Sequence, residues 1–136
     1  MNTEVSVGKY EDFDKVLGRL GGMEKFVRPG AKVLIKPNLC APKGSETGIT
    51  TNPRLVEKVI EKLRPITDNI VIGEGPIPVF GHLSEGQHPL LYEIAKKHNV
   101  PIIDLNYTEA VIRRGFAVAR AVVESDAIIN MPVLKT

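Results

Sequence analysis

The sequence predicts an α/β domain with an open, mostly parallel sheet in three layers and helices on the faces of the sheet. Short apolar runs recur along the chain, and segments with helical spacing of apolar residues separate them. This alternation is typical of βαβ units. The apolar runs at 33–35 and 70–72 contain no polar residue, as is expected of strands buried on both faces of a parallel sheet.

The composition is that of one globular domain. With 136 residues, the chain has room for a single core, so we expect one α/β domain over 1–136. The formal net charge of +2 is too balanced to indicate a nucleic-acid partner or a polybasic membrane contact. The chain has neither an apolar run of about 18 residues nor a signal-peptide pattern, so we expect a cytoplasmic location and no membrane contact.

The first predicted elements are an edge strand, a short helix and a central strand. Residues 4–10 alternate apolar and polar positions, which favours a strand near an edge. Apolar positions within 13–20 have helical spacing, and the helix is expected to end at Gly21. The central strand is 33–35, and Lys36 is expected to end it because it precedes a proline.

The clearest helix start in the chain is Pro53. Thr51 or Asn52 can cap this helix, and a proline is well tolerated at its first position. One apolar stripe follows, with the charged residues, including Glu57, expected on the solvated face until Pro65 ends the helix. The loop that precedes it, 38–52, is long and polar.

The second half of the chain repeats the strand and helix pattern. A buried strand at 70–72 is followed by a glycine-rich break, and a helix begins at Pro89 with His98 on its apolar face. A strand over 100–105 ends near Asp104. The segment 113–122 is compatible with a strand or a helix, and 127–129 is the last predicted strand.

Polar side chains follow the predicted strands, at the edge where parallel sheets bind ligands. Lysine provides a point charge and asparagine both donates and accepts hydrogen bonds, so we expect a small anionic or polar ligand there. Thr51 is a further candidate ligand-binding residue, because it lies at a helix N-terminus, which attracts anions. The alternative is that these residues only cap turns. The candidate ligand-binding residues are Lys36, Asn38, Thr51, Glu74, Asp104, Asn130 and Lys135.

Two of these candidates are lysines that are expected to lie close together. Lys36 and Lys135 repel each other unless an anion, or the carboxylates of Glu74 and Asp104, lies between them. The edge is therefore expected to hold either a bound anion or an internal ion pair. No catalytic residue is predicted.

Familiar cofactor motifs do not match. Gly73-Glu74-Gly75 begins like a dinucleotide fingerprint, but Pro78 stands at the third glycine position, so the fold is Rossmann-like without that fingerprint. No P-loop motif occurs in 44–51. His82 and His88 are candidate metal ligands, but their spacing matches no zinc pattern, and surface histidines are the preferred interpretation.

The single cysteine, Cys40, excludes an internal disulfide. It is expected to pack as a small, largely buried hydrophobic side chain. One thiol cannot ligate an iron–sulfur cluster within the chain, so we expect no cofactor here and an iron–sulfur cluster only through a partner or a missing segment.

Four motifs together resemble the uncharacterised bacterial and archaeal family catalogued as domain of unknown function 362. They lie at 33–39, 50–53, 71–75 and 128–136. The resemblance implies an α/β domain whose members often carry, or are fused to, a ferredoxin-like iron–sulfur segment, and it implies no established reaction. The family pattern continues past the final Lys-Thr, so the chain resembles the first part of a domain, truncated at its C-terminus.

Two functions follow from these observations. The first is a domain that binds a small anionic or polar ligand at the carboxyl edge of its sheet and acts with an iron–sulfur partner. The second is a non-catalytic interaction module that completes its sheet by self-association or against another chain. Whether the protein is an enzyme is left open.

Overall fold

The structure, a computed structural model, describes residues 4–134. The helices are α1 (Phe13–Arg19), α2 (Pro53–Leu63), α3 (Pro89–Lys97) and α4 (Arg120–Val123), and the strands are β1 (Val33–Pro37), β2 (Ile70–Glu74), β3 (Ile102–Asp104), β4 (Ala110–Arg113), β5 (Phe116–Ala119) and β6 (Ala127–Met131). Short 3₁₀ turns lie at Tyr10–Asp12, Met23–Lys25, Ser45–Thr47 and Pro78–Phe80.

The main sheet has four parallel strands in the order β3-β2-β1-β6. This confirms the predicted α/β class with a mostly parallel sheet. A separate antiparallel hairpin joins β4 and β5. The strand order reverses between β1 and β6, because the chain passes from β1 to β2 on one side and places β6 on the other.

The main core lies between one face of this sheet and the helices. Alternate residues of β1 and β2, such as Val33 and Ile72, are fully buried. They form one cluster with the apolar stripes of α2 and α3, and Phe13 of α1 packs against this cluster. Leu34, on the opposite face of β1, is also fully buried. Its Cδ1 would lie 2.8 Å from a Cβ placed on Gly73, so that face is closely packed there.

The predicted helices lie where expected, and α2 begins at Pro53 with the Asn52 side chain accepting a hydrogen bond from Arg54 N–H. The strands β1 and β2 run two residues further than predicted, through Pro37 and Glu74. The ambiguous segment 113–122 contains both structures, since β5 is followed directly by α4.

The predicted first strand at 4–10 is wrong. Residues 4–9 form no regular element and a 3₁₀ turn begins at Tyr10. Val5 and Val7 are 80% and 79% exposed, so the alternating pattern has no apolar surface on which to pack its apolar side. Without burial, alternation alone does not stabilise a strand.

Candidate functional site

The carboxyl ends of β1 and β2 bring Lys36 and Glu74 together. Lys36 Nζ lies 3.0 Å from Glu74 Oε2, and the two side chains are 38% and 9% exposed. Glu74 Oε1 accepts a hydrogen bond from the N–H of Gly75 at 2.9 Å. Of the two expected arrangements of this edge, the described residues therefore form the internal ion pair. The ammonium keeps a solvent-facing side on which further acceptors can bind.

Asn130 lies beside Lys36 in the neighbouring strand. The register of β1 and β6 pairs these two residues directly, at the point where the strand order reverses. The Asn130 side chain is exposed and makes no hydrogen bond to any residue within 4–134. The predicted partner Lys135 lies outside the described residues. Within 4–134, the candidates that come together with open polar groups are thus Lys36 and Asn130.

Asn38 and Thr51 use their polar groups to fasten the loop between β1 and α2. Thr51 Oγ1 accepts from Asn38 N–H at 2.8 Å and donates to the carbonyl of Met131 at 2.7 Å. Asn38 Nδ2 donates to the carbonyl of Ile49 at 2.6 Å. These bonds tie β1, the loop and the end of β6 to one another, which is the turn-forming alternative considered for both residues.

Asp104, paired with Glu74 in register, also has local partners. Its Oδ2 accepts from Leu83 N–H at 2.8 Å and its Oδ1 from Asn106 N–H at 3.0 Å. Asp104 therefore holds two loops beside β3. His82 Nδ1 is 3.9 Å from Oδ2, and its ring stacks on Tyr107 with centroids 3.7 Å apart.

The sulfur of Cys40 lies next to Asn38. Sγ is 3.7 Å from Asn38 Nδ2 and 3.7 Å from the carbonyl of Ile49, and the residue is partly buried. The thiol thus packs within the loop that Asn38 and Thr51 fasten, in a more polar setting than the apolar packing expected for it.

Glu57, expected on the solvated face of α2, is buried instead, and the reason is a set of cationic and hydrogen-bonding partners. Its carboxylate lies 2.7 Å from Lys97 Nζ, 3.0 Å from Arg54 Nη1 and 3.3 Å from His98 Nε2. The hydrogen bond from Lys97, followed by those from Arg54 and His98, lowers the pKa of Glu57 to about 2 against the opposing effect of desolvation.

This cluster also contains the one group of three possible metal ligands in residues 4–134, Glu57, Glu61 and His98. Lys97 and Arg54 already pair with the Glu57 carboxylate, so a cation would have to compete with them for this ligand. His82 and His88 are not part of it.

A cleft of about 330 Å³ opens between the β1–α2 loop and the start of α3. His88 lines it and is only 8% exposed. Burial lowers the pKa of His88 below its ordinary value. The sequence singled out His88 only as a possible metal ligand, because nothing in a linear pattern shows that two distant loops enclose a cavity.

No helix within the described part of the chain is long and apolar enough to cross a lipid bilayer.

Comparison with known proteins gives one family and one relative. The model of the family described as "Domain of unknown function (DUF362)" matches residues 33–136. A protein of Synechocystis sp. named "Thylakoid-associated protein" is 28% identical over 130 residues, which cover 89% of this chain. The chain spans 39% of the length of that relative. No solved structure matches.

Proposed function

The chain belongs to the family described as domain of unknown function (DUF362), and we propose that it binds a small anionic or polar molecule at the carboxyl edge of its sheet, beside Lys36 and Asn130. The observation that carries this proposal is their register pairing at the point where the strand order reverses. In open α/β sheets, ligands bind in the crevice outside the carboxyl ends of the strands at such a point.

The chemistry of these two residues suits an oxyanion. Glu74 balances the Lys36 charge, but the solvent-facing side of the ammonium still offers N–H donors, and Asn130 provides an amide with no other partner among residues 4–134. Asn38 and Thr51 fasten the adjoining loop, so they contribute to the shape of the site. As part of this proposal, any iron–sulfur cluster that acts with the domain is supplied by a partner or by a segment outside this sequence.

Thermal melts with phosphate and sulfate test the site. An anion at ten times its Kd stabilises the folded protein by about 1.4 kcal/mol, so we expect the Tm to rise for the parent protein. Lys36→Ala and Asn130→Ala should lose most of this rise. The matched control is Lys32→Ala, because Lys32 also pairs with a glutamate, Glu124 at 2.9 Å, but precedes β1 at the amino end of the sheet.

Removing Lys36 leaves the nearly buried carboxylate of Glu74 without its cation, which lowers stability by about 1 to 3 kcal/mol regardless of ligand. Each variant is therefore compared with its own anion-free melt, and Lys36→Ala/Glu74→Gln restores the charge balance. If Lys32→Ala loses the anion response as fully as Lys36→Ala, or if no anion shifts the parent, the proposed site is wrong.

A second candidate function, association with another polypeptide, is favoured by the exposed edge of the sheet. In residues 4–134, β6 is an edge strand, and its Ile128 is 44% exposed. An unpaired parallel edge with exposed apolar residues is a template for strand pairing. Light scattering after size exclusion should show a mass above the 14.9 kDa of one chain that falls for Ile128→Lys and not for Ile112→Lys on the hairpin. A 14.9 kDa species at all micromolar concentrations would contradict association.

A further inference from the structure

The cleft beside α3 differs from the edge formed by Lys36 and Asn130. It is about 330 Å³ in volume, and neither Lys36 nor Asn130 lines it. One wall is the β1–α2 loop, with Leu39, Lys43 and Thr50, and the other is the start of α3, with His88, Leu90 and Leu91. The volume is at the lower end of the range for small-molecule sites.

His88 is a buried polar side chain without a partner. It is 8% exposed and lines the cleft, and its ring makes no hydrogen bond to any residue in the described range 4–134. Its side chain does not cap α3. Because burial lowers its pKa, the imidazole is neutral near pH 7 and presents one N–H donor and one acceptor nitrogen. The ring nitrogens keep contact with solvent, because Ser6 Oγ is the one enclosed side-chain N or O atom without a partner in residues 4–134, so a ligand in the cleft can reach them.

The first turn of α3 adds a backbone donor to the same cleft. Pro89 has no N–H, and the N–H groups of Leu91 and Tyr92 both bond to the carbonyl of His88. The N–H of Leu90 has no acceptor among residues 4–134. By contrast, the corresponding N–H of α2, that of Arg54, is capped by the Asn52 side chain at 2.9 Å.

The remaining wall of the cleft is partly apolar. Pro42, Pro53 and Leu90 supply its accessible apolar surface above the buried Leu39 and Leu91, whereas Lys43 and Glu46 bring one charge of each sign. The Lys43 ammonium forms no ion pair within residues 4–134. Hydrogen-bond donors beside an apolar wall favour a ligand that has an oxyanion at one end and a hydrocarbon body at the other.

We propose that this cleft binds a small organic acid. Its carboxylate accepts hydrogen bonds from the Leu90 N–H and the His88 ring, with Lys43 at the mouth. Its hydrocarbon part contacts Pro42, Pro53 and Leu90, apolar lining residues that solvent reaches. The site is independent of Lys36 and Asn130, so the two proposals stand or fall separately.

Titration with benzoate, isobutyrate and inorganic phosphate, followed by amide and imidazole NMR signals, tests the proposal. We expect benzoate and isobutyrate to shift the Leu90 amide and the His88 ring in a saturable manner. His88→Asp places a carboxylate at the N-cap of α3, where it accepts from the free Leu90 N–H, so the affinity for benzoate should fall at least tenfold. His82→Asp, which changes the exposed histidine of the same loop, should leave the affinity unchanged.

Lys36→Ala separates this site from the one at the edge of the sheet, because benzoate should still shift the Leu90 amide in that variant. A loss of the Leu90 shift in Lys36→Ala would overturn a separate cleft site. Absence of any saturable shift at Leu90 up to millimolar benzoate, equal affinities of His88→Asp and the parent, or a response to phosphate that no organic acid reproduces would also overturn the proposal.

Discussion

At the scale of single residues, three of the polar side chains near the carboxyl edge form hydrogen bonds with backbone groups that are distant in the chain. Asn38, Thr51 and Asp104 donate to or accept from backbone groups of Ile49, Met131 and Leu83. Those partners are 11, 80 and 21 residues away in the chain. The sequence shows which side chains follow a strand, but a partner that distant is set by the packing of loops, so the sequence left the binding and turn-forming alternatives open.

Gly73 illustrates a residue whose role is steric. A Cβ there would lie 2.8 Å from Leu34 Cδ1, 3.0 Å from Leu105 Cδ2 and 3.3 Å from Ile103 Cγ1. Real Cβ atoms essentially never come as close to another heavy atom as the first distance, the other two are tighter than most Cβ contacts, and Leu34 is fully buried. The structure shows that these contacts are side chains of the sheet face opposite the main core.

We therefore expect Gly73→Ala to lower the free energy of unfolding by about 1 to 3 kcal/mol. Gly18→Ala is the control, because a Cβ on that glycine, in α1, meets nothing within 4 Å, and alanine stabilises a helix by up to about 1 kcal/mol relative to glycine. Urea unfolding of both variants measures the difference. Equal stabilities of Gly73→Ala and the parent would show that the face beside β2 relaxes freely.

At the scale of elements, the sequence predicts best where one local signal is strong. The helix α2 begins at the predicted proline with the predicted cap, because capping and periodicity are properties of adjacent residues. The alternation at 4–10 fails as a signal because a strand depends on a neighbour. The hairpin of β4 and β5 was not predicted for a related reason, since Ile112 and Phe116 are 68% and 73% exposed and its pattern lacks a clear buried face.

Thr51 connects several elements through one hydroxyl. It accepts from the residue after β1 and donates to the last residue of β6, and it lies at 5% exposure just before α2. We expect Thr51→Val to keep the volume but leave the Met131 carbonyl and the Asn38 N–H unsatisfied, at a loss of about 1 to 3 kcal/mol. The Tm should fall by about 4 to 12 °C.

Thr47→Val is the matched control, because the Thr47 hydroxyl bonds only within its own exposed loop, to Gly44 and Ile49. We expect its effect to stay within about 0.5 kcal/mol. Similar melting temperatures for the two variants would mean that the link between β1 and β6 contributes little to stability.

At the scale of the whole molecule, the fold class followed from the repeated strand and helix pattern, but the order of the strands did not. Four parallel strands separated by helices are compatible with several orders. The position of β6 beside β1 depends on contacts such as Asp126 Oδ2 with Lys32 N–H at 2.9 Å. That order places Asn130 next to Lys36. Which residues form the proposed site therefore follows from the strand order, which the sequence pattern does not determine.

The pKa shifts of His88 and Glu57 predict how the free energy of unfolding depends on pH. Burial lowers the pKa of His88 in the folded protein below 6.5, so the unfolded chain binds the proton more readily and stability falls as the pH decreases below about 6.5. Glu57 causes a second fall in stability, at lower pH. Its pKa is lowered from 4.5 to about 2, first by Lys97, so its contribution is complete above about pH 5 and is lost between about pH 5 and pH 2.

The two declines can be separated by substitution. Glu57→Gln should remove most of the loss below pH 5 and lower the stability at pH 7 by about 1 to 2 kcal/mol, since Lys97 and Arg54 are 63% and 55% exposed and solvent screens their charges. Glu93→Gln, at an exposed position of α3 outside this cluster, should leave the profile unchanged. His88→Asn should flatten the decline that begins near pH 6.5 while keeping the one below pH 5. Urea unfolding from pH 8 to pH 3 measures these slopes, and a Glu57→Gln profile parallel to that of the parent below pH 5 would show that the cluster around Glu57 does not control acid unfolding.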